Sequence, residues 1–152
     1  MTEANNNDII SSMSFRETLD IVSLRINILK GVIKTLIVFD SFTGNVERFI
    51  KKVGLDAVKI KEGLIIKEPF VLVTYTTGMG NIPSSTAKFL ARGSFINMKA
   101  VASSGNRNWI PMFAEAGVKI SKQFNVPLLL KFENDGTKSD VEEFIKQVKG
   151  IE

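Results

Sequence analysis

The chain has 152 residues, 44% of them hydrophobic, and 20 lysines and arginines against 16 acidic residues give a net charge of +4. This length and composition suit one globular domain with a core of ordinary size. The basic residues form no run longer than the pair Lys51 and Lys52, so no nucleic-acid partner is predicted. Cysteine and histidine are absent, which excludes disulfides, thiol nucleophiles, His/Cys zinc sites and imidazole catalysis. Redox or nucleophilic chemistry must then come from a bound cofactor, carboxylates, lysines or the single Tyr75.

Residues 1–34 differ from the rest of the chain and are predicted to be an N-terminal extension whose polar start is disordered. Ser14 and Glu17 have the spacing of a capping box, and the apolar residues that follow fall on one helical stripe, which favours a helix. The competing pattern is a strand-like alternation from Val22 to Ile28. The segment is too short and too charged to span a bilayer, so no membrane partner is predicted. Because no signal peptide is apparent, the cytoplasm is the expected location.

Residues 35–152 alternate between predicted strands and helices and are expected to form one domain. The predicted strands cover 35–40, 57–60, 70–76, 99–102 and 127–132, and the predicted helices cover 45–53, 84–91, 111–124 and 138–148. This alternation indicates an α/β fold with a doubly wound, five-stranded parallel sheet in the order 2-1-3-4-5. In that order ligands bind beyond the carboxyl ends of the strands, so the loops after strands one, three and four should converge.

The loop after the first strand, residues 40–45, has the groups that hold a phosphate without lysine. It offers two hydroxyls, an amide side chain, backbone N–H groups and the start of a helix. Gly44 carries no Cβ and therefore lets the backbone approach a ligand closely. The alternative is an ordinary connection in which a hydroxyl caps the following helix.

The loop after the third strand, residues 76–83, contains two threonines and two glycines that suit backbone contact with the edge of a planar ligand. Gly78 and Gly80 resemble the start of a dinucleotide fingerprint, but Pro83 stands where its third glycine belongs. The loop also follows the third strand rather than the first, which excludes a nicotinamide dinucleotide site. No Gly-Lys-Ser/Thr occurs, which excludes a Walker loop. The alternative is a flexible glycine loop.

The loop after the fourth strand, residues 103–109, places the only tryptophan among polar residues. Trp109 would stack on a flat ring system there, and the alternative is that it fills the core. A planar aromatic ligand with one terminal phosphate fits all three loops. Flavin mononucleotide (FMN), which occupies this switch point in flavodoxin, is therefore the predicted cofactor.

Four segments in this order resemble the NrdI family: 39–49, 71–77, 102–109, and 131–133 with 136–137. Members of that family are small flavodoxin-like proteins that serve class Ib ribonucleotide reductase in deoxyribonucleotide synthesis. The resemblance covers about residues 35–148 and implies a flavodoxin-like fold with bound FMN. It also implies that the protein uses dioxygen and a flavin reductant to generate the oxidant that assembles the dimanganese–tyrosyl radical cofactor of the reductase small subunit. Whether the protein is itself an enzyme stays open.

The resemblance implies a set of FMN-binding residues and no catalytic or metal-binding residue. The phosphate would be held by Ser41, Thr43, Gly44 and Asn45. The isoalloxazine ring would be bordered by Thr76, Thr77, Gly78, Met79 and Gly80 on one side and by Ser104, Gly105, Asn106 and Trp109 on the other. The chain departs from the family pattern at Ile110, Pro111 and Met112, where members have a glycine followed by a polar pair.

A general flavodoxin electron carrier is the alternative function. Such carriers surround the flavin with acidic residues, which oppose negative charge on it. Here the loops place no carboxylate near the proposed ring, and Arg107 and Lys131 are expected close to it. Neutral or positive surroundings favour the negatively charged reduced flavin and hence a two-electron role. A flavin-free receiver-like module would need an acidic cluster beside Asp40, which the sequence lacks.

Overall fold

The computed structural model describes residues 14, 17, 33–109 and 111–152, and the chain divides into two compact units, Met1–Val32 and Ile33–Glu152. In the first unit the N–H of Ser14 donates to Glu17 Oε2 at 2.8 Å, and the N–H of Glu17 donates to Ser14 Oγ at 3.2 Å. The predicted capping box is thereby confirmed. The predicted helix after it, the competing strand and the disordered start lie outside the described residues.

A five-stranded parallel sheet forms the centre of the second unit, and its order is β2-β1-β3-β4-β5, as predicted. Its strands are β1 (Leu36–Phe39), β2 (Ala57–Lys59), β3 (Phe70–Tyr75), β4 (Met98–Gly105) and β5 (Leu128–Glu133). Residues 70–73 of the central β3 are a continuous apolar run buried on both faces, which is typical of a parallel sheet covered by helices. All five carboxyl ends therefore meet at one edge.

Four helices cover the sheet: α1 (Asn45–Val53), α2 (Ser84–Ala91), α3 (Glu115–Phe124) and α4 (Lys138–Gly150). The first two have the predicted bounds. On one face, Phe49 of α1 stacks on Phe132 of β5 at 4.0 Å between ring centroids and meets Phe144 of α4 edge-on at 5.4 Å. On the other face, Phe89 of α2 and Ile120 of α3 belong to one buried cluster. This packing fixes where the loops at the carboxyl edge begin. No helix in the described part of the chain is long and apolar enough to cross a membrane.

Two predicted boundaries near the carboxyl edge are wrong by three or more residues, whereas the other strand ends there differ by one. β4 continues to Gly105, three residues beyond the predicted end, because Ser103 and Ser104 pair with β5 and lie almost fully buried. The Ser104 hydroxyl donates to the Asn134 carbonyl at 2.5 Å, which compensates its burial. The predicted helix 111–124 begins only at Glu115, since Ala114 adopts a left-handed conformation with φ 51°. Residues 106–109 and 111–114 therefore belong to the connection between β4 and α3 rather than to the predicted helix.

Candidate functional site

A cavity of about 400 Å³ lies at the carboxyl edge of the sheet, within the size range of small-molecule sites. From the loop after β1 it is lined by Ser41, Phe42, Thr43, Asn45 and Val46. From β3 and its loop it is lined by Tyr75, Thr76, Thr77 and Gly78. From β4 and its loop it is lined by Ser104, Gly105, Asn106, Trp109, Met112 and Ala114, and after β5 by Asn134. The three predicted loops converge as expected, and none of these lining residues is charged.

The loop after β1 presents unpaired donors at the start of α1. Gly44 is the N-cap residue, with φ 91° and no side-chain cap, a conformation that a residue with a Cβ rarely adopts. Its carbonyl accepts from the Arg48 N–H at 3.0 Å, and Ser41 Oγ accepts from the Glu47 N–H at 3.3 Å. Within the described residues, the N–H groups of residues 42–46 donate no hydrogen bond. The loop can therefore donate several hydrogen bonds to an anion.

Arg48 supports this loop from outside the cavity. Its Nη2 donates to Asn45 Oδ1 at 2.5 Å, which leaves the Asn45 amide nitrogen as a donor. Its guanidinium also covers Gly44, where a Cβ would lie 2.8 Å from Nη1. Gly44 itself does not line the cavity. Its left-handed backbone conformation orients the neighbouring residues of the loop.

The loop after β3 is a closed turn rather than a flexible segment. The N–H of Thr77 donates to the Asn81 carbonyl at 3.0 Å, and the N–H of Asn81 donates to the Thr77 carbonyl at 2.8 Å. Met79, at the tip, is 68% exposed and does not line the cavity. Gly80 is buried against α3, where a Cβ would lie 3.2 Å from Glu115 Cβ. Of this loop's predicted residues, Met79 and Gly80 thus lie outside the cavity.

Trp109 is 58% exposed and lines the cavity, so the alternative that it fills the core is wrong. It ends a short 3₁₀ turn (Arg107–Trp109), its N–H donates to the Asn106 carbonyl at 3.1 Å, and its carbonyl accepts from the Met112 N–H at 2.6 Å. Ile110, the first residue of the departure from the family pattern, lies outside the described residues.

The rest of this loop is held by tertiary contacts. A Cβ on Gly105 would lie 2.4 Å from the Ala114 backbone nitrogen, so the two backbones touch. The Arg107 N–H donates to Glu133 Oε2 at 3.0 Å. The Arg107 guanidinium lies 4.7 Å and the Lys131 ammonium 5.3 Å from the centre of the Phe113 ring. The two cations expected beside the ligand pack on Phe113 instead and do not line the cavity.

A buried carboxylate lies behind the cavity. Asp40 is 5% exposed, and its Oδ2 accepts from the hydroxyls of Ser85 and, at 2.7 Å, Thr86. Burial, followed by the nearby Asp40 carboxylate, raises the pKa of Tyr75, while a hydrogen bond with Ser85 lowers it in part. Tyr75 therefore presents a protonated phenol at neutral pH. Among the residues that the structure describes, no group of three or more acidic side chains is placed to hold a metal ion.

Sequence reasoning missed six lining residues: Phe42, Val46, Tyr75, Met112, Ala114 and Asn134. Phe42, Val46 and Tyr75 adjoin predicted residues and could have been found by extending each loop by one position. Asn134 follows the strand beside β4 at the same edge, which the sheet order alone indicated. Met112 and Ala114 fall within the predicted helix 111–124, so no signal in the sequence indicates them.

Comparison with known proteins identifies the family. A family model described as NrdI Flavodoxin like matches residues 37–146. Protein NrdI of Bacillus licheniformis is 47% identical over 116 residues, 76% of this chain and 88% of that protein. Protein NrdI of Macrococcus caseolyticus is 47% identical over 117 residues, 76% of this chain and 90% of that protein.

The fold is similar to that of solved flavodoxins. The Streptococcus pneumonia TIGR4 flavodoxin superposes with a TM-score of 0.59 at 20% identity, covering 77% of this chain and 96% of that one. The fold and the family together indicate a flavin as the cofactor. The chain therefore belongs to the NrdI family, the flavodoxin-like accessory proteins of class Ib ribonucleotide reductase.

Proposed function

We propose that this protein binds FMN and supplies an oxidant, made from dioxygen, with which the class Ib reductase small subunit assembles its dimanganese–tyrosyl radical cofactor. FMN, when bound and reduced, supplies the electrons for that chemistry. The observation that carries the proposal is the uncharged, donor-rich cavity where three loops of a flavodoxin-like sheet meet. A separate flavin reductant and the cytoplasmic location expected from the sequence belong to the same proposal.

The loop after β1 fits the phosphate of FMN. Ser41 Oγ already accepts from the Glu47 N–H, so its hydroxyl hydrogen is available to donate. Thr43 adds a second hydroxyl, Asn45 adds an amide nitrogen, and Gly44 provides the backbone conformation that leaves the loop N–H groups unpaired. Hydrogen bonds and the positive end of the α1 dipole would together stabilise the phosphate charge.

The other two loops fit a flat ring. Thr76, Thr77 and Gly78 would border it from β3, and Ser104, Gly105, Asn106 and Trp109 from β4. Gly80 and the backbone of Met79 would act through the shape of their turn, since neither residue lines the cavity, and the exposed Met79 side chain would take no part in holding the ring. Because no carboxylate lines the cavity, its walls do not oppose negative charge on a reduced flavin. This supports a two-electron role over that of a one-electron carrier.

Exposed apolar side chains support a protein partner near this cavity. Phe42 is 83% exposed, Trp109 is 58% exposed, and both line the cavity, while Met79 next to Gly78 is 68% exposed. Large exposed apolar groups beside a binding site are typical of protein–protein contact surfaces. We assign this surface to the manganese-loaded reductase small subunit.

Electron paramagnetic resonance tests the proposal directly. The reduced protein, dioxygen and the manganese-loaded small subunit should together yield the tyrosyl radical, and omission of any one should abolish it. Met79→Glu should lower the radical yield without weakening FMN binding, because Met79 lies outside the cavity. Failure to form the radical while the reduced protein is still oxidised by dioxygen would contradict the proposal and favour the electron-carrier alternative.

A further inference from the structure

A second cavity, also about 400 Å³, lies between α2 and the segment that follows β2. Its chemistry differs from that of the first cavity, because charged groups line it. Lys61 and Glu62 come from the segment after β2, while Ser84, Ser85, Lys88 and Arg92 come from α2 and its carboxyl end. Three cations thus surround a concave space that contains one carboxylate residue.

None of the three cations has an ion-pair partner in the part of the chain that the structure describes. Within the described residues, neither Lys61, Lys88 nor Arg92 forms an ion pair with Glu62 or with any other carboxylate. Lys88 lies in the last turn of α2 and Arg92 is its C-cap residue, four positions later, so their like charges repel each other. An anion held between them would replace this repulsion with attraction.

The donors in this cavity suit a phosphate group. The planar Arg92 guanidinium can donate hydrogen bonds to two phosphate oxygens at once, and Lys61 and Lys88 each add a compact positive charge. The Ser85 hydroxyl is already used to donate to Asp40, while the Ser84 hydroxyl donates to no partner in the described part of the chain. We propose that this second cavity binds a small multivalent anion that carries phosphate groups.

The inference is independent of the proposed flavin function, because the two cavities share no lining residue. A small ligand is favoured over an acidic protein because the cations line a recess rather than a flat face. The net charge of the lining groups, three positive and one negative, also suits a dianion or trianion better than a single negative charge.

Inorganic pyrophosphate is the probe for the test. The full-length protein, uniformly labelled with ¹⁵N, would be titrated with pyrophosphate at constant ionic strength and followed by amide NMR. With FMN present at saturation, so that the loop after β1 is occupied, we expect saturable shifts at the amides of Ser84, Ser85 and Lys88, with none at Thr43 or Gly44 of the first cavity. Lys88→Gln and Arg92→Gln should each weaken binding about tenfold, because each removes a charged hydrogen-bond donor.

Lys122→Gln is the matched control, since Lys122 occupies the last turn of α3 as Lys88 occupies the last turn of α2. It should bind pyrophosphate like the unchanged protein. Shifts that grow linearly without saturation, or an equal loss in Lys122→Gln, would overturn the proposal in favour of general charge screening. A glutamate-rich peptide that shifts the same amides at lower concentration than pyrophosphate would overturn it in favour of a protein-docking surface.

Discussion

The loops after β1 and after β4 approach the first cavity from opposite sides, but they are stabilised in different ways. The loop after β1 is short, and its shape is set by Gly44 and the start of α1. Its N–H groups within 42–46 have no hydrogen-bond partner among the residues that the structure describes. The loop after β4 is held by tertiary contacts. Gly105 packs against the Ala114 backbone, and the Arg107 N–H donates a hydrogen bond to Glu133. The Arg107 and Lys131 side chains pack on the Phe113 ring.

The two loops should therefore contribute to ligand binding in different ways. The loop after β1 has hydrogen-bonding groups without a protein partner among the described residues, so its side chains should govern affinity. The loop after β4 is preorganised by packing, so disturbing its supports should damage the cavity before any ligand arrives.

The largest effect is expected for Gly105→Ala. The new methyl group would lie 2.4 Å from the Ala114 nitrogen and 2.9 Å from its Cα, so the backbone must move. Overpacking of this kind costs roughly 1–3 kcal/mol, and a backbone contact belongs at the upper end. We expect a lower midpoint of urea unfolding and loss of FMN retention on gel filtration.

Gly150→Ala is the control for that substitution, because no atom lies within 4 Å of the corresponding methyl position. It should retain FMN like the unchanged protein and should not unfold at lower urea concentration, because alanine favours the helix that ends at this position. Normal unfolding and normal FMN retention in Gly105→Ala would show that the loop is not held by this contact.

Thr43→Val should weaken FMN binding by roughly 1–3 kcal/mol, because it removes a hydroxyl donor from a charged acceptor. The unfolding of the FMN-free protein should stay unchanged, since Thr43 is exposed in the loop after β1. Isothermal titration with FMN measures the loss. Riboflavin, which lacks the phosphate, is the control ligand and should bind both proteins equally; an equal loss for both ligands would remove Thr43 from the phosphate site.

Phe113→Leu tests the supports of the loop after β4. It removes two cation–π contacts, each worth about 0.5–1 kcal/mol at exposed sites. Part of this loss should appear as weaker binding of both FMN and riboflavin, because the loop that carries Trp109 becomes less ordered. Unchanged affinity for both flavins would show that the Glu133 and Gly105 contacts suffice to hold the loop.

The smallest effect is expected for Asp40, the first residue of the loop after β1, and it is an effect on the pKa of Tyr75. Tyr75 is the only tyrosine, so its ionisation can be followed by ultraviolet absorbance. Its pKa should lie above the ordinary value of about 10, chiefly through burial and secondly through Asp40. Folding raises this pKa, so the folded protein keeps the phenol proton at a pH where the unfolded chain has lost it. The contribution of Tyr75 to the free energy of unfolding is therefore fully present below the unfolded pKa and is lost as the pH rises through the folded pKa.

Asp40→Asn should lower the pKa of Tyr75 but leave it above the ordinary value, since burial remains. Asp56→Asn, which removes an exposed carboxylate, should leave the pKa of Tyr75 unchanged. Equal shifts in both variants would show that Asp40 does not act on Tyr75 directly.

The same comparison explains which features the sequence could predict. The bounds of α1 and α2 follow from local signals, namely apolar periodicity after Gly44 and after Pro83. The end of β4 depends on β5, because only pairing with that strand explains why two serines are buried. The conformation of Ala114 depends on Gly105 across the loop, and no local pattern indicates such a contact.

Titration of the FMN-free protein with FMN, followed by the fluorescence of Trp109, tests the central claim most directly. Trp109 is the only tryptophan and lines the first cavity, so its emission reports that cavity alone. We expect quenching that reaches a plateau at equimolar FMN and a weaker, shallower response to riboflavin. Emission that FMN leaves unchanged, or identical titrations with the two flavins, would contradict an FMN site formed by the loops after β1 and β4.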